Sequence, residues 1–340
     1  MAGLTSPYKP SNHILKENEF MKKLICVLIS IAMITALFAG CGAAKDDGVT
    51  RIAIVQQLDH SSLDEIRLAI EAQLMADLPD AQIETYNGQN DASLLNQIGT
   101  EIKSGNFDMV IPIATLAAQT MVTALAGTDM PIVYAAVSDP ASAGLTDIAN
   151  VTGVSDALNT PFILDMMLAV QPEIKTVGLL YSNSEINSET PIAEAKAYLE
   201  AKGIAFLEKT GNTAGEVISA ASDLVGRVDA VFTPTDNVIM AAEASVAEIL
   251  NEAGIPHYTG ADSFVLSGAF TTCGVNYTEL GTKPAQIAVS ILAGGQIGEF
   301  TVMDGGIITV NTETAAALNL DYSVFSSMAN TIVEVVTAEE

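Results

Sequence analysis

The sequence has no tryptophan, three cysteines, three histidines and only 14 lysines and arginines against 41 aspartates and glutamates. Each shortage removes a class of function. A formal net charge of -27 argues against nucleic acid and phosphorylated ligands as partners, because phosphate binding is driven by clustered Lys and Arg. The acidity reads as a solvated surface that keeps the chain soluble. Cys26, Cys41 and Cys273 are too few and too scattered for a disulfide framework or a zinc spacing. His13, His60 and His257 make no metal cluster, so neither metal nor cofactor is expected. The chain also lacks a Gly-x-Ser-x-Gly elbow, a phosphate-binding loop and a His-Glu-x-x-His motif. His60 beside Ser61 and Ser62 is adjacency in sequence and not a triad, and no catalytic activity is expected.

What is present begins with an address. From Met21, "MKKLICVLISIAMITALFAGCG" sets two lysines before an apolar core too short to span a bilayer comfortably, then small residues, the layout of a secretory signal. Its end, "LFAGC", resembles the lipobox of bacterial lipoproteins, which implies lipidation of Cys41 and a membrane anchor. Met21 is then the expected start, with residues 1–20 an upstream extension, 21–40 the signal and 41–50 the lipidated cysteine and its flexible tether.

Beyond the tether, strands and helices alternate. "RIAIVQQ", "AQIETYNG", "FDMVIPIA" and "MPIVYAAV" read as strands, the first ending before a serine-started helix and the third stopping at Pro112 before a helix opened by Thr115. From Thr176 the pattern restarts, and "FDMVIPIAT" corresponds to "VDAVFTPTD". Two tandem copies of one α/β unit predict two doubly wound parallel-sheet lobes with a ligand cleft between them. Ligands of such sheets lie at the carboxyl ends of the strands. Those ends carry small polar residues: Gln57, His60, Ser61 and Ser62, then Thr115, then Ser138 and Asp139 in the first copy. In the second they are Ser182 to Ser184, then Thr235, Asp236 and Asn237, then Asp262 and Ser263.

Two chemistries follow from these positions. Thr115 stands where a strand becomes a helix, so its hydroxyl and the free backbone donors of the first turn suit a carboxylate, although threonine is also an ordinary helix cap. Asp139, Asp156, Asp236 and Asp262 suit an ammonium group; Asp139 before Pro140 also reads as a turn former and Asp236 as a cap. Asp262 ends a strand with no evident helix start of its own.

The stretches "IAIVQQLDHSSLD", "IPIATLAAQ", "IVYAAVSDPASAGL", "NVTGVSD", "VGLLYSNSEINS", "VDAVFTPTDN" and "CGVNYTELG" occur in an order that resembles the tryptophan/tyrosine-type substrate-binding proteins of ABC transporters, of type I periplasmic binding fold. The resemblance implies an extracytoplasmic receptor that closes on a small molecule, an amino acid, aromatic in the family members with known ligands, and delivers it to a permease with its ATPase. It further implies that Thr115 and Ser138 hold the α-carboxylate and that Asp156 and Asp262 hold the α-ammonium, with "YSNSEINS", Ser182 and Ser184 included, and "PTDN" closing from the second lobe. Two positions depart from the family pattern: Gln57, where an aromatic residue can stand, and Ser61, usually proline. With Tyr134, Tyr181 and Tyr258 the nearest aromatics, a smaller or more polar amino acid stays open as ligand.

The expected domains are a first lobe of residues 51–156 plus 276–299, a second of 157–275 plus 300–325, and a tail at 326–340. Crossings between the lobes fall near Asp156, Val275 and Phe300. The rival readings are a sensor that signals to a membrane kinase, a receptor for a nucleoside or sugar on the same fold, and a secreted hydrolase.

Overall fold

The computed structural model describes Gly3 and residues 48–338. The expected extension at 1–20, the signal at 21–40 and Cys41 lie outside the described residues.

Strands β1 (Arg51–Gln56), β2 (Gln82–Asn87), β3 (Met109–Ile113), β4 (Ile132–Ala135), β5 (Val151–Ser155) and β11 (Thr301–Val302) form one sheet in the order β11-β5-β4-β3-β1-β2. Its pairings are parallel. Parallel strands are covered on both faces and therefore apolar along their length. Accordingly β3, β4 and β5 are buried throughout and β1 nearly so, while β2 at the edge is largely open. Helices α1 (Ser61–Asp77), α2 (Ala92–Ser104) and α3 (Thr115–Ala124) connect these strands.

β3 runs one residue beyond the expected stop at Pro112, in mid-sheet between β4 and β1. Proline has no N–H to give a ladder, and the pairing with β4 passes over it. Val110 is in register with Ile132 and Ile113 with Ala135, while Val110 N donates to Pro131 O at 3.1 Å and Ala114 N to Ala135 O at 3.0 Å.

The second sheet comprises β6 (Thr176–Tyr181), β7 (Ala205–Thr210), β8 (Ala230–Thr233), β9 (His257–Thr259), β10 (Thr271–Val275), β12 (Gly305–Asn311) and β13 (Thr331–Val335), ordered β13-β12-β10-β9-β8-β6-β7. Only β10 and β12 pair antiparallel. Its helices are α4 (Thr160–Val170), α5 (Glu189–Lys202), α6 (Ala214–Ser222), α7 (Asn237–Met240), α8 (Glu243–Glu252), α9 (Asp262–Leu266) and α11 (Thr312–Ala317). The chain thus builds two α/β lobes.

The chain leaves the first sheet after β5, at Asp156. It comes back after β10, when α10 (Tyr277–Leu292) packs on α1. The third crossing lies between Val302 and Gly305, later than the expected Phe300, because β11 first adds to β5 through Thr301 and Val302. Residues after 325 are not only a tail: β13 pairs with β12 from Ile307↔Thr331 to Asn311↔Val335 and extends the second sheet. Where α10 crosses α1 the helices touch through Gly281, at which a Cβ would lie 2.3 Å from the Ile66 carbonyl oxygen.

Candidate functional site

The carboxyl ends of both sheets face one cavity. His60, Ser62 and Leu63 reach it from the start of α1, Ala114 and Thr115 from β3 into α3, Ala136 and Ser138 from beyond β4, and Asp156 from beyond β5. The opposing rim supplies Asn187, Thr235 to Asn237 and Met240, then Ala261, Ser263 and Phe264; Tyr277 lies at the second crossing. Two alanines on the first rim have left-handed backbone, Ala114 with φ 75° and ψ 164° and Ala136 with φ 55°. Such strain in non-glycine residues persists where surrounding structure enforces it, and it concentrates at binding sites.

The rims meet directly. Ser138 Oγ lies 3.0 Å from Thr235 Oγ1, and Ser62 Oγ donates to Asp262 Oδ1 at 2.7 Å. Gln57 Nε2 donates to Glu185 Oε1 at 3.1 Å, and Thr190 Oγ1 to Asp139 Oδ2 at 2.7 Å. These contacts hold a closed cleft with about 30 Å³ of free space, room for a water or two. Anything the size of an amino acid enters only when they part.

Thr115 is not the helix cap. Ala114 occupies that position without a side-chain bond, and Thr115 is the first residue of α3, 3% exposed. The side-chain Oε1 of Gln57 accepts from Leu116 N at 3.0 Å, so one donor of the first turn is taken from within the protein. The Thr115 hydroxyl makes no bond to another described residue and faces the cavity.

Asp156 accepts from Ser138 Oγ at 3.1 Å and Asp262 from Ser62. Burial pushes both carboxyl groups up, while those hydroxyls pull them down. The Tyr277 hydroxyl lies against the same two acids: burial first, then their charges, drive its pKa far upward. No lysine or arginine lines the cavity among the described residues. Asp262 itself does not line it; contrary to expectation it opens a helix, α9, and reaches the site through Ser62 and Tyr277.

Other expected site residues stand elsewhere. Ser61 is exposed, because the α1 periodicity turns Ser62 inward in its place. Gln57 is fully buried behind the cavity, bridging Leu116, Asn90 and Glu185. Asp139 is a turn former, accepting from Ser142 N and Oγ, and a clasp for Thr190. Ser182 donates to Asn212 and pairs with the exposed Ser184. Asp236 lines the cavity yet is engaged as the cap of α7, accepting from Ser182 N, Ser188 Oγ, Val238 N and Ile239 N at 2.7 to 3.0 Å. Tyr134, Tyr181 and Tyr258 do not reach the cavity; its aromatic walls are Phe264 and Tyr277.

Glu185, which strand-end reasoning passes over, is 5% exposed and lies at the centre of a chain of amides. Its oxygens accept from Gln57 Nε2 and, at 2.9 Å, from Asn237 Nδ2. It is the only acid in "YSNSEINS", and that isolation was its one signal. Burial, then the charge of Asp236, pushes its pKa from 4.5 to about 7. A carboxyl that binds its proton more tightly in the folded state stabilises the fold when protonated; the contribution is complete below the unfolded value and lost as pH rises through the folded one. The melting temperature is therefore expected to fall as pH rises from about 5 to about 7.5, and Glu185→Gln to flatten the fall. Melting curves across that interval check this, and a rise would contradict it.

One hydroxyl–imidazole–carboxylate row exists in the second lobe: Thr233 Oγ1 to His257 Nε2 at 2.8 Å and His257 Nδ1 to Glu243 Oε1 at 2.9 Å. Thr233 and His257 are fully buried and Glu243 is 1% exposed, so no substrate reaches it.

The model of ABC transporter substrate binding proteins matches residues 51–330. The chain belongs to that family. A tyrosine-binding protein of Clostridioides difficile (strain R20291) is 30% identical over 326 residues, covering 90% of this chain and 94% of the relative. Among solved structures, the ABC domain of Streptococcus pneumonia in complex with L-Trp is 28% identical with TM-score 0.79, covering 84% of this chain and all of that one. A ligand-free, open substrate-binding protein with adhesive properties from Clostridium difficile is 31% identical with TM-score 0.65, covering 85% of this chain and all of that one. This ABC substrate-binding protein therefore superposes better on the ligand-bound relative than on the open one, in keeping with its closed rims. As in the family, it is an extracytoplasmic receptor for a small solute that serves an ABC transporter.

Proposed function

We propose that the solute is an amino acid, that Asp156, supported by Asp262, holds its α-ammonium, and that Thr115, Ser138 and the first turn of α3 hold its α-carboxylate. One observation carries this reading. The buried Asp156 lines the cavity and the buried Asp262 stands behind it through Ser62, each with a hydroxyl as its side-chain partner, and no lysine or arginine lies among the described lining residues, so the opposing charge belongs to the ligand. Across the same cavity the α3 terminus offers donors for an anion. A zwitterion matches both. The relatives that bind tyrosine and tryptophan support an aromatic side chain, for which Leu63, Met240 and Phe264 provide apolar walls.

The ligand replaces the direct rim contacts with bonds through itself, and the permease and its ATPase respond to the closed form. Delivery involves no chemical step, and lipidated Cys41 would keep the receptor at the membrane. A thermal-shift screen of the full-length chain tests the ligand class, because a ligand that binds only the native state raises its stability by mass action. Upward shifts are expected with amino acids, largest with aromatic ones. Shifts only with nucleosides or sugars would refute the proposal. Mass spectrometry of the cellular product should show a diacylated Cys41 at its N-terminus.

A further inference from the structure

The amide chain around Glu185 decides which nitrogen of His60 carries the proton. When Glu185 is ionised, as it is above a pH of about 7, its Oε2 only accepts, so the atom of Asn237 that faces it at 2.9 Å is Nδ2. The other end of that amide, Oδ1, then faces His60 Nε2 at 3.4 Å. A carbonyl oxygen only accepts, which makes Nε2 the donor and leaves Nδ1 with a bare lone pair. Burial, the largest influence, lowers the His60 pKa to about 4, so the ring is neutral and the lone pair persists at neutral pH. Nδ1 is buried and has no hydrogen-bond partner, and the same is true of Ser263 Oγ on the opposite rim. Both residues line the cavity beside Leu63, Met240 and Phe264. An acceptor left unpaired in apolar surroundings is costly, and the cost is recovered when a ligand brings a donor.

We propose that His60 is the specificity-determining residue of the cleft, and that its Nδ1 selects amino acids whose ring carries a hydrogen-bond donor, the phenol O–H or the indole N–H, over phenylalanine and aliphatic side chains. This rests on the amino-acid reading above. An apolar pocket alone discriminates poorly between such ligands, whereas a site with a buried polar group rejects the analogue that leaves it unpaired.

Isothermal titration of the full-length chain with tyrosine, tryptophan, phenylalanine and leucine tests the assignment. Tyrosine and tryptophan are expected to bind about tenfold to a hundredfold more tightly than phenylalanine. His60→Leu, which removes the acceptor, should bring tyrosine to the level of phenylalanine while phenylalanine itself changes little. His60→Gln, which offers a carbonyl oxygen in its place, should restore part of the preference. Wild-type protein that binds phenylalanine as tightly as tyrosine overturns the role of His60 and leaves the amino-acid reading standing; that comparison needs no variant to fold. An unchanged tyrosine-to-phenylalanine ratio in folded His60→Leu overturns it equally. If no amino acid binds, both readings fall.

Discussion

Asp156→Asn should weaken amino-acid binding by about a hundredfold and at the same time raise the melting temperature of the unliganded protein. The binding loss follows from removing a buried charge whose partner is the ligand's ammonium, an interaction worth about 2 to 5 kcal/mol when one side is truncated. The gain in stability has the opposite origin. Burial raises the Asp156 pKa, so at neutral pH, where the unfolded chain carries this carboxyl ionised, burying it costs the fold free energy that an amide of the same shape does not. The amide still accepts from Ser138, so local geometry is kept. Titration calorimetry and melting curves on one preparation give both values. Lower stability together with weaker binding would mark Asp156 as a structural residue, and unchanged binding would remove it from the site.

Gly281→Ala should destabilise the protein by about 3 kcal/mol, at the upper end of what overpacking a close contact costs. The added Cβ would stand 2.3 Å from Ile66 O and 2.7 Å from Ala69 Cβ. Both belong to the body of α1, and neither is the free end of a flexible side chain, so the helices must separate. His60, Ser62 and Leu63 lie at the N-terminus of α1, and Tyr277 begins α10. Separation at the crossing therefore displaces one rim, and ligand affinity should drop along with stability. Urea denaturation measures the first effect and titration the second; a fully stable variant would show that the helices have slack at their closest point.

Much of the architecture was legible in the chain. Regular alternation of apolar strands with Ser- or Thr-started helices implies parallel sheets, and the match of "FDMVIPIAT" to "VDAVFTPTD" places Thr115 and Asp236 at equivalent strand ends. Those ends became the two rims. Thr115, Ser138, Asp156, Thr235 and Asn237 reach the cavity because a parallel strand delivers the residue after its last ladder bond to the sheet's open edge. Tyr277 followed the same rule after β10 and could have been found by it, since Asn276 in "CGVNYTELG" caps a helix. Ser61 failed because strand-end position does not say which of two adjacent serines a helix turns inward. Asp262 was expected to end a strand, but β9 stops at Thr259 and Asp262 opens the short helix α9, which carries no sequence signal strong enough to see.

The chain by itself determined what is local or periodic: two tandem α/β units, polar strand ends and an excess of acidic residues. Propensity, capping and hydrophobic spacing act over a few residues, and they can be read wherever those residues are contiguous. Tertiary structure alone decided that Asp156 reaches a cavity with no lysine or arginine among its described lining residues, that Gln57, Glu185 and Asn237 form one hydrogen-bonded chain, and that this chain leaves His60 Nδ1 unpaired. Gln57 and Glu185 are 128 residues apart, Ser62 and Asp262 200. Burial, charge and hydrogen-bond satisfaction belong to atoms brought together by closure of the lobes, and no stretch of sequence contains both sides of such a contact.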